Sequence, residues 1–265
     1  MLTPEFLDAA TGNLESLMYE LENHALIDVA RRISKALNKG GLIPETAQYQ
    51  LTRLSELRGF DAYYKSEIAR ITKLSFEEID RLIIESAKQA HAYDLSRFLE
   101  KNLPAVPELG SERLHQMTDA LREHTKGEFT NITRTAGFAG LPAREYFTRT
   151  LDKAFMQVSS GLFDYNTVIR RTVNEMTETG LQTVRYGRRN LNVVTAVRNA
   201  VLTSARQVAD RVSIENIIAL NLPLIEVSAH ANARNKGEGF ENHQKWQGRR
   251  FSVSSYEDLR NALNY

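Results

Sequence analysis

Between Asn13 and Leu37 apolar residues return every three or four positions, through Leu14, Leu17, Met18, Leu21, Ala25, Val29, Ile33 and Leu37. This predicts an amphipathic helix of about seven turns, stopped by Lys39-Gly40-Gly41. A second helix is expected from Pro44 to a stop at Gly59, carrying Tyr49, Leu51, Leu54 and Leu57, and a third from Asp61 to Ile71. Ser75-Phe-Glu-Glu78 has the spacing of a capping box and opens a fourth, through Ile79, Leu82 and Ile83 to about Ala92. Two prolines and a glycine in Leu103–Gly110 forbid regular helix, so this stretch is the expected linker.

Beyond the linker the pattern predicts a helix from Ser111 to about His124, ended by Lys126-Gly127. Phe129–Thr133 fits a strand or a helix start equally, and Gly137–Pro142 reads as a turn. Phe147, Leu151, Ala154, Phe155 and Val158 mark a helix closing at Gly161, and Asp164 caps another that ends at Gly180. Asn190 is the expected cap of the longest helix of this half, whose valine stripe runs from Val194 to Val212. After Pro223, Leu224–Val227 and Arg249–Ser254 read as two short strands around a long polar loop, and Ser255 and Asp258 open a last helix. The fold class is therefore mostly α: an N-terminal helical layer, residues 1–110, followed by a helical α+β domain, residues 111–265, with a small β-hairpin near the C-terminus.

Charge changes this picture. The net charge of +1 conceals 16 Lys and Arg against 21 Asp and Glu in residues 1–129, and 17 against 10 in residues 130–251. The basic part is mostly arginine, whose planar fork suits phosphates and carboxylates. Arg185, Arg188 and Arg189, in a loop before a helix, together with Arg198, Arg206 and Arg211, are the residues expected to meet DNA or an acidic partner; a solvated basic face is the simpler reading. The glycine run and lysine of a phosphate-binding loop are missing. Cysteine is absent, which excludes disulfides, thiolate metal sites and cysteine nucleophiles. No apolar run approaches the roughly 20 residues of a membrane span, and the acidic N-terminus is unlike a secretory signal.

The densest set of residues that helix packing does not require lies between Ile225 and Phe251: His230, Arg234, His243, Trp246 and Gly248. Val227-Ser-Ala-His230-Ala-x-Ala-Arg234 followed by His243-x-x-Trp246-Gln-Gly248 resembles the signature of the phage minor capsid proteins, relatives of the Mu F-like head-morphogenesis proteins. The resemblance continues upstream in Thr130-Asn131, in Asp152-x-Ala154 through Gly161, in Tyr186-Gly187-x-Arg189 and in Ala196–Thr203. It implies a structural virion component, near the portal or in the capsid interior, acting in head morphogenesis, genome packaging or ejection. The implied partners are the portal protein, the major capsid or scaffolding protein, and packaged double-stranded DNA held without sequence specificity, with no membrane. The implied location is the virion, with the host cytoplasm during assembly. The family pattern continues into a glycine-rich turn and an Asn-Cys-Arg-His element that this chain does not carry, so the domain is expected to be truncated at its C-terminus or built differently.

The same loop admits a chemical reading. His230 and His243 with Arg234 could serve a metal- or nucleotide-dependent hydrolase or transferase acting on nucleic acid, but a catalytic zinc needs three protein ligands and His-x12-His supplies two. A loop hydrogen-bonded into shape, with Trp246 packed as core and Gly248 at a positive φ, explains the same residues. No nucleophile elbow or metalloprotease helix stands out, and His24, His91, His115 and His124 lie on expected helices without acidic partners at telling spacing. No catalytic residue, metal or cofactor is expected.

Overall fold

The computed structural model describes residues 2–37, 46–107, 110–161, 163–183 and 190–227, the single residues 229, 231 and 233, and residues 235–238 and 242–252. The described elements are six helices, α1 (Pro4–Leu37), α2 (Thr46–Glu100), α3 (Ser111–Arg134), α4 (Ala143–Ser159), α5 (Tyr165–Thr179) and α6 (Val193–Ala219), and five short strands, β1 (Ala136–Phe138), β2 (Leu141–Pro142), β3 (Leu181–Thr183), β4 (Leu224–Glu226) and β5 (Arg250–Ser252). The chain is mostly α, as its periodicity predicts.

The helices run through most of the breaks read from the sequence. The segments expected around Gly59 and Ser75 form one helix, α2, because the buried face continues unbroken through Ile71, Ser75, Ile79, Leu82 and Ile83. A mid-helix glycine costs about 1 kcal/mol, less than burying one of these side chains provides. Ser75 is thus fully buried inside a helix rather than capping one, and Glu78 turns to Asn13 and Arg81. For the same reason α3 passes Gly127 and reaches Arg134 through Thr125, Phe129, Ile132 and Thr133, which resolves the ambiguity of Phe129–Thr133 in favour of helix. Likewise α1 begins at Pro4 rather than Asn13, since Leu7, Ala10 and Thr11 extend its buried stripe.

Four caps are decided by side chains or backbone. Asp164 caps α5 as expected, its carboxylate accepting from the Thr167 N–H at 3.0 Å. At α6 the cap belongs to Asn192, whose Oδ1 accepts from the Val194 N–H at 2.8 Å, and not to Asn190. Asn102 and Asn221, at positive φ, end α2 and α6 by the left-handed turn that satisfies the last helical carbonyls. The turn expected over Gly137–Pro142 contains a hairpin, β1 against β2, with Ala139 and Gly140 both at positive φ at its tip. β3 then pairs with the other edge of β1, Ala136 opposite Thr183. The last helix expected from Ser255 lies outside the described residues.

The chain divides into two compact units, each made of separate stretches. One comprises Pro4–Leu82 and Arg122–Thr203. Its core holds Phe60, Phe129, Phe138 and Phe147 with Leu14, Met18, Leu21 and Ile33, and Phe60 stacks on Phe147 at 4.6 Å. The other comprises Met1–Thr3, Ile83–Leu121 and Ser204–Tyr265. It buries mainly small and aliphatic side chains, among them Ala87, Ala90, Leu114, Met117, Ala205, Val208 and Val212. The Leu103–Gly110 stretch lies within this second unit and joins α2 to α3.

Candidate functional site

The loop that holds the sequence signature hangs from the β4–β5 hairpin. Leu224 lies opposite Ser252, Ile225 opposite Phe251 and Glu226 opposite Arg250, and the Arg250 Nε reaches Glu226 at 3.0 Å. Beyond the strands the Val227 N–H donates to the Arg249 carbonyl at 3.0 Å and the Gly248 N–H to the Val227 carbonyl at 2.8 Å. One residue of one strand therefore faces two of the other, the geometry of a bulge. Gly248, at φ 67°, supplies the left-handed residue this junction requires. Trp246 lays its ring 5.6 Å from that of Phe251.

Inside the loop, Asn242 is the organising residue, although no pattern along the chain singles it out. It is the only buried residue among those described after Asn216, and its Nδ2 donates to the Asn235 Oδ1 at 3.0 Å and to the Gly237 carbonyl at 3.1 Å. His243 begins a single 3-10 turn, His243–Lys245, and Lys245 donates to the Glu238 carbonyl. His230 and Arg234 lie outside the described residues. Among the described residues no group of three or more His, Asp or Glu is placed to hold a metal ion.

Of the basic residues, Arg185, Arg188 and Arg189 also lie outside the described residues. Arg198 is engaged within its own unit: its guanidinium donates to Glu15 at 2.6 Å, to Asp8, and to the Thr11 hydroxyl at 3.2 Å, tying α6 to α1. Bonding to Glu15 and then Asp8 raises its pKa further above its ordinary value. Arg211 donates to the Met117 carbonyl, whereas Arg206 is exposed and makes no ion pair with a described residue.

Some of the upstream signature positions are packing and ion-pair positions, whereas Thr130 and Asn131 are exposed and Tyr186, Gly187 and Arg189 lie outside the described residues. Asp152 accepts from Arg53 Nε at 2.6 Å, Arg53 Nη2 at 2.9 Å and the Tyr49 hydroxyl at 2.8 Å. Burial works to raise the Asp152 pKa, but the Arg53 guanidinium and the Tyr49 hydroxyl outweigh it and hold the carboxyl below its usual range. Burial and the adjacent carboxylate push the Tyr49 hydroxyl up. Ala154 is buried, as are Ala196, Val197, Ala200 and Val201 of α6. His24, contrary to its sequence spacing, has an acidic partner: Nδ1 lies 2.7 Å from Glu67 of α2, a carboxylate shared with Arg70. His91 meets Asn216 at 3.0 Å, and Asn216 in turn meets Asp94.

The molecule is mostly helical, and signature positions such as Asp152, Ala154 and Ala196 are held in ion pairs and packing. The chain belongs to the phage minor capsid protein 2 family, whose model matches residues 2–263. Its role is a structural one in the phage capsid, among other virion proteins. No curated protein and no solved structure matches it. Among the described residues no helix is long and apolar enough to cross a membrane.

Proposed function

We propose that this protein is a portal-associated assembly factor of the phage head, whose N-terminal helical region, residues 1–110, docks on the portal and inner capsid. Residues 111–265 face the packaged double-stranded DNA and contact it through phosphates, without reading sequence. The observation that carries this reading is a minor-capsid family match spanning almost the whole chain. The acidic balance of residues 1–129 against the basic balance of residues 130–251 supports the division of labour. On α2, Leu51 and Leu54 stand one turn apart with 71% and 48% of their surface exposed, an apolar pair suited to a protein partner. The major capsid or scaffolding protein is a further partner in assembly.

The test uses the full chain, because a cut at Gly110 would remove parts of both compact units. Mixed with the cognate portal and run on size exclusion, the protein is expected to co-elute. Leu51→Lys together with Leu54→Lys is expected to weaken that binding by about tenfold or more, since the contact loses two apolar side chains and would have to bury two charges. A full chain that elutes apart from the portal defeats the reading. Unchanged binding by the double variant removes these leucines from the docking face.

A further inference from the structure

The three-stranded sheet gathers arginines that the sequence places in unrelated positions. Arg134 is the last residue of α3, two residues before β1, and Arg144 lies in the first turn of α4, two residues after β2. Antiparallel pairing sets Gly137 opposite Pro142, and the Ala143 N lies 2.9 Å from where a Cβ on Gly137 would stand. Both arginines therefore leave the β1–β2 hairpin at the same end, its open end. Both are exposed, and neither makes an ion pair with a described residue. Arg144 and Arg149 also line a shallow, open surface depression with Pro142, Glu145 and Thr148. Glu145 is the one acid on its rim, and Arg149 pairs with it at 2.7 Å.

The segment of residues 184–189 is flanked on both sides by residues that meet this same hairpin. Thr183, where it begins, pairs with Ala136 at the open end. Asn190, where it ends, brings its Nδ2 to 2.9 Å from where a Cβ on Gly140 would lie, at the hairpin tip. The Thr183 N–H donates to the Leu191 carbonyl at 2.7 Å and its hydroxyl accepts from the Leu191 N–H at 3.1 Å, so the two stems are tied together.

We propose that the β1–β2 hairpin is the platform of a phosphate-binding surface, on which Arg134 and Arg144 contact the backbone of double-stranded DNA. This deepens the reading that residues 111–265 face the genome, and rests on it. Guanidinium forks that make no ion pair with a described carboxylate, beside a shallow surface depression and on the sheet that flanks the arginine-rich segment 184–189, suit a repeating diester anion better than a single carboxylate. Binding of this kind neutralises phosphates and releases counterions, which makes it independent of sequence and steep in salt.

The experiment measures the affinity of the full chain for a short random-sequence duplex by fluorescence anisotropy over a range of salt concentrations, beside Arg134→Gln with Arg144→Gln and beside Arg134→Lys with Arg144→Lys. The glutamine pair is expected to weaken binding several tens of fold at low salt and to reduce the slope of log affinity against log salt by about 2, at roughly 0.9 per phosphate contact. The lysine pair is expected to keep most of the slope, and should the glutamine pair fail to fold, Arg144→Gln alone carries the test, with an expected loss of slope of about 1. Equal affinity and slope in all three proteins overturn the inference. So does a wild-type chain that binds no duplex while still co-eluting with the portal, an outcome that leaves the docking reading standing. Loss of portal binding in the glutamine pair, with duplex binding unchanged, would likewise overturn it by assigning these arginines to a protein surface.

Discussion

Gly137→Ala is expected to unfold the unit built from Pro4–Leu82 and Arg122–Thr203, or to leave the protein insoluble. A Cβ at this position would lie 1.9 Å from the Leu141 carbonyl oxygen, 2.8 Å from its carbon and 2.9 Å from the Ala143 nitrogen. All three are backbone atoms, so no rotamer change relieves the clash. Gly137 is also the middle residue of β1, paired on one side with Pro142 and on the other with Gln182, so a shift of either neighbour breaks the sheet. Overpacking typically costs 1–3 kcal/mol and more where nothing can yield; here the loss is expected at about 4 kcal/mol or above, the range of exceptional substitutions. Gly127 provides the contrast within one chain. It sits inside α3 with nothing within 4 Å of an added Cβ, so Gly127→Ala is expected to stabilise by about 1 kcal/mol through helix propensity. Urea unfolding of the two variants distinguishes them by sign. A Gly137→Ala protein as stable as wild type would mean that β1 and β2 are not paired as described.

Arg32→Leu should be the most damaging change on the α1–α2 face. Arg32 donates from Nε to Asp28 at 2.6 Å and from Nη1 to Glu56 at 3.0 Å, and those two carboxylates are 2% and 4% exposed. Removing one partner of a buried ion pair costs about 3–5 kcal/mol, because a desolvated charge is left behind. Arg31 and Lys35 still reach Asp28 and Glu56 from the exposed side, which moves the expectation to about 3 kcal/mol, the low end of that range. Arg32→Lys keeps the charge but loses the fork that spans both acids, and is expected to fall between wild type and Arg32→Leu. The same geometry accounts for Gly59 in mid-helix: the Arg32 Nη1 lies 2.2 Å from where its Cβ would be, so the glycine leaves room for the pair. Thermal or urea unfolding reads all of this. A loss below about 1 kcal/mol for Arg32→Leu would show a pair that behaves like a surface salt bridge.

The helical class and most helix cores were legible in the sequence because a buried stripe at three and four spacing is a strong signal over many turns. The stops were less legible. Gly59, Ser75 and Gly127 carry local signals worth about 1 kcal/mol each, and a continuous apolar face overrides them. β1 and β3 were hidden for another reason: each is three residues long, and their pairing joins residues some 45 positions apart in sequence, as Ala136 with Thr183 shows. Ion-pair partners such as Arg53 and Asp152, or His24 and Glu67, lie on different helices, where spacing within one helix says nothing. In the signature loop the positive φ of Gly248 followed from residue type, whereas Trp246, expected in the core, is only half-buried against Phe251, and the burial of Asn242 had no signal. An asparagine in a polar loop carries no mark of burial until the chain closes around it.

Quantitative mass spectrometry of purified virions is the direct test of the proposal that this chain is a structural minor component of the phage head held near the portal. The protein is expected in mature particles, at a level comparable to the portal protein and far below the major capsid protein. Its absence from both mature virions and assembling heads, or a level equal to that of the major capsid protein, would defeat the proposal.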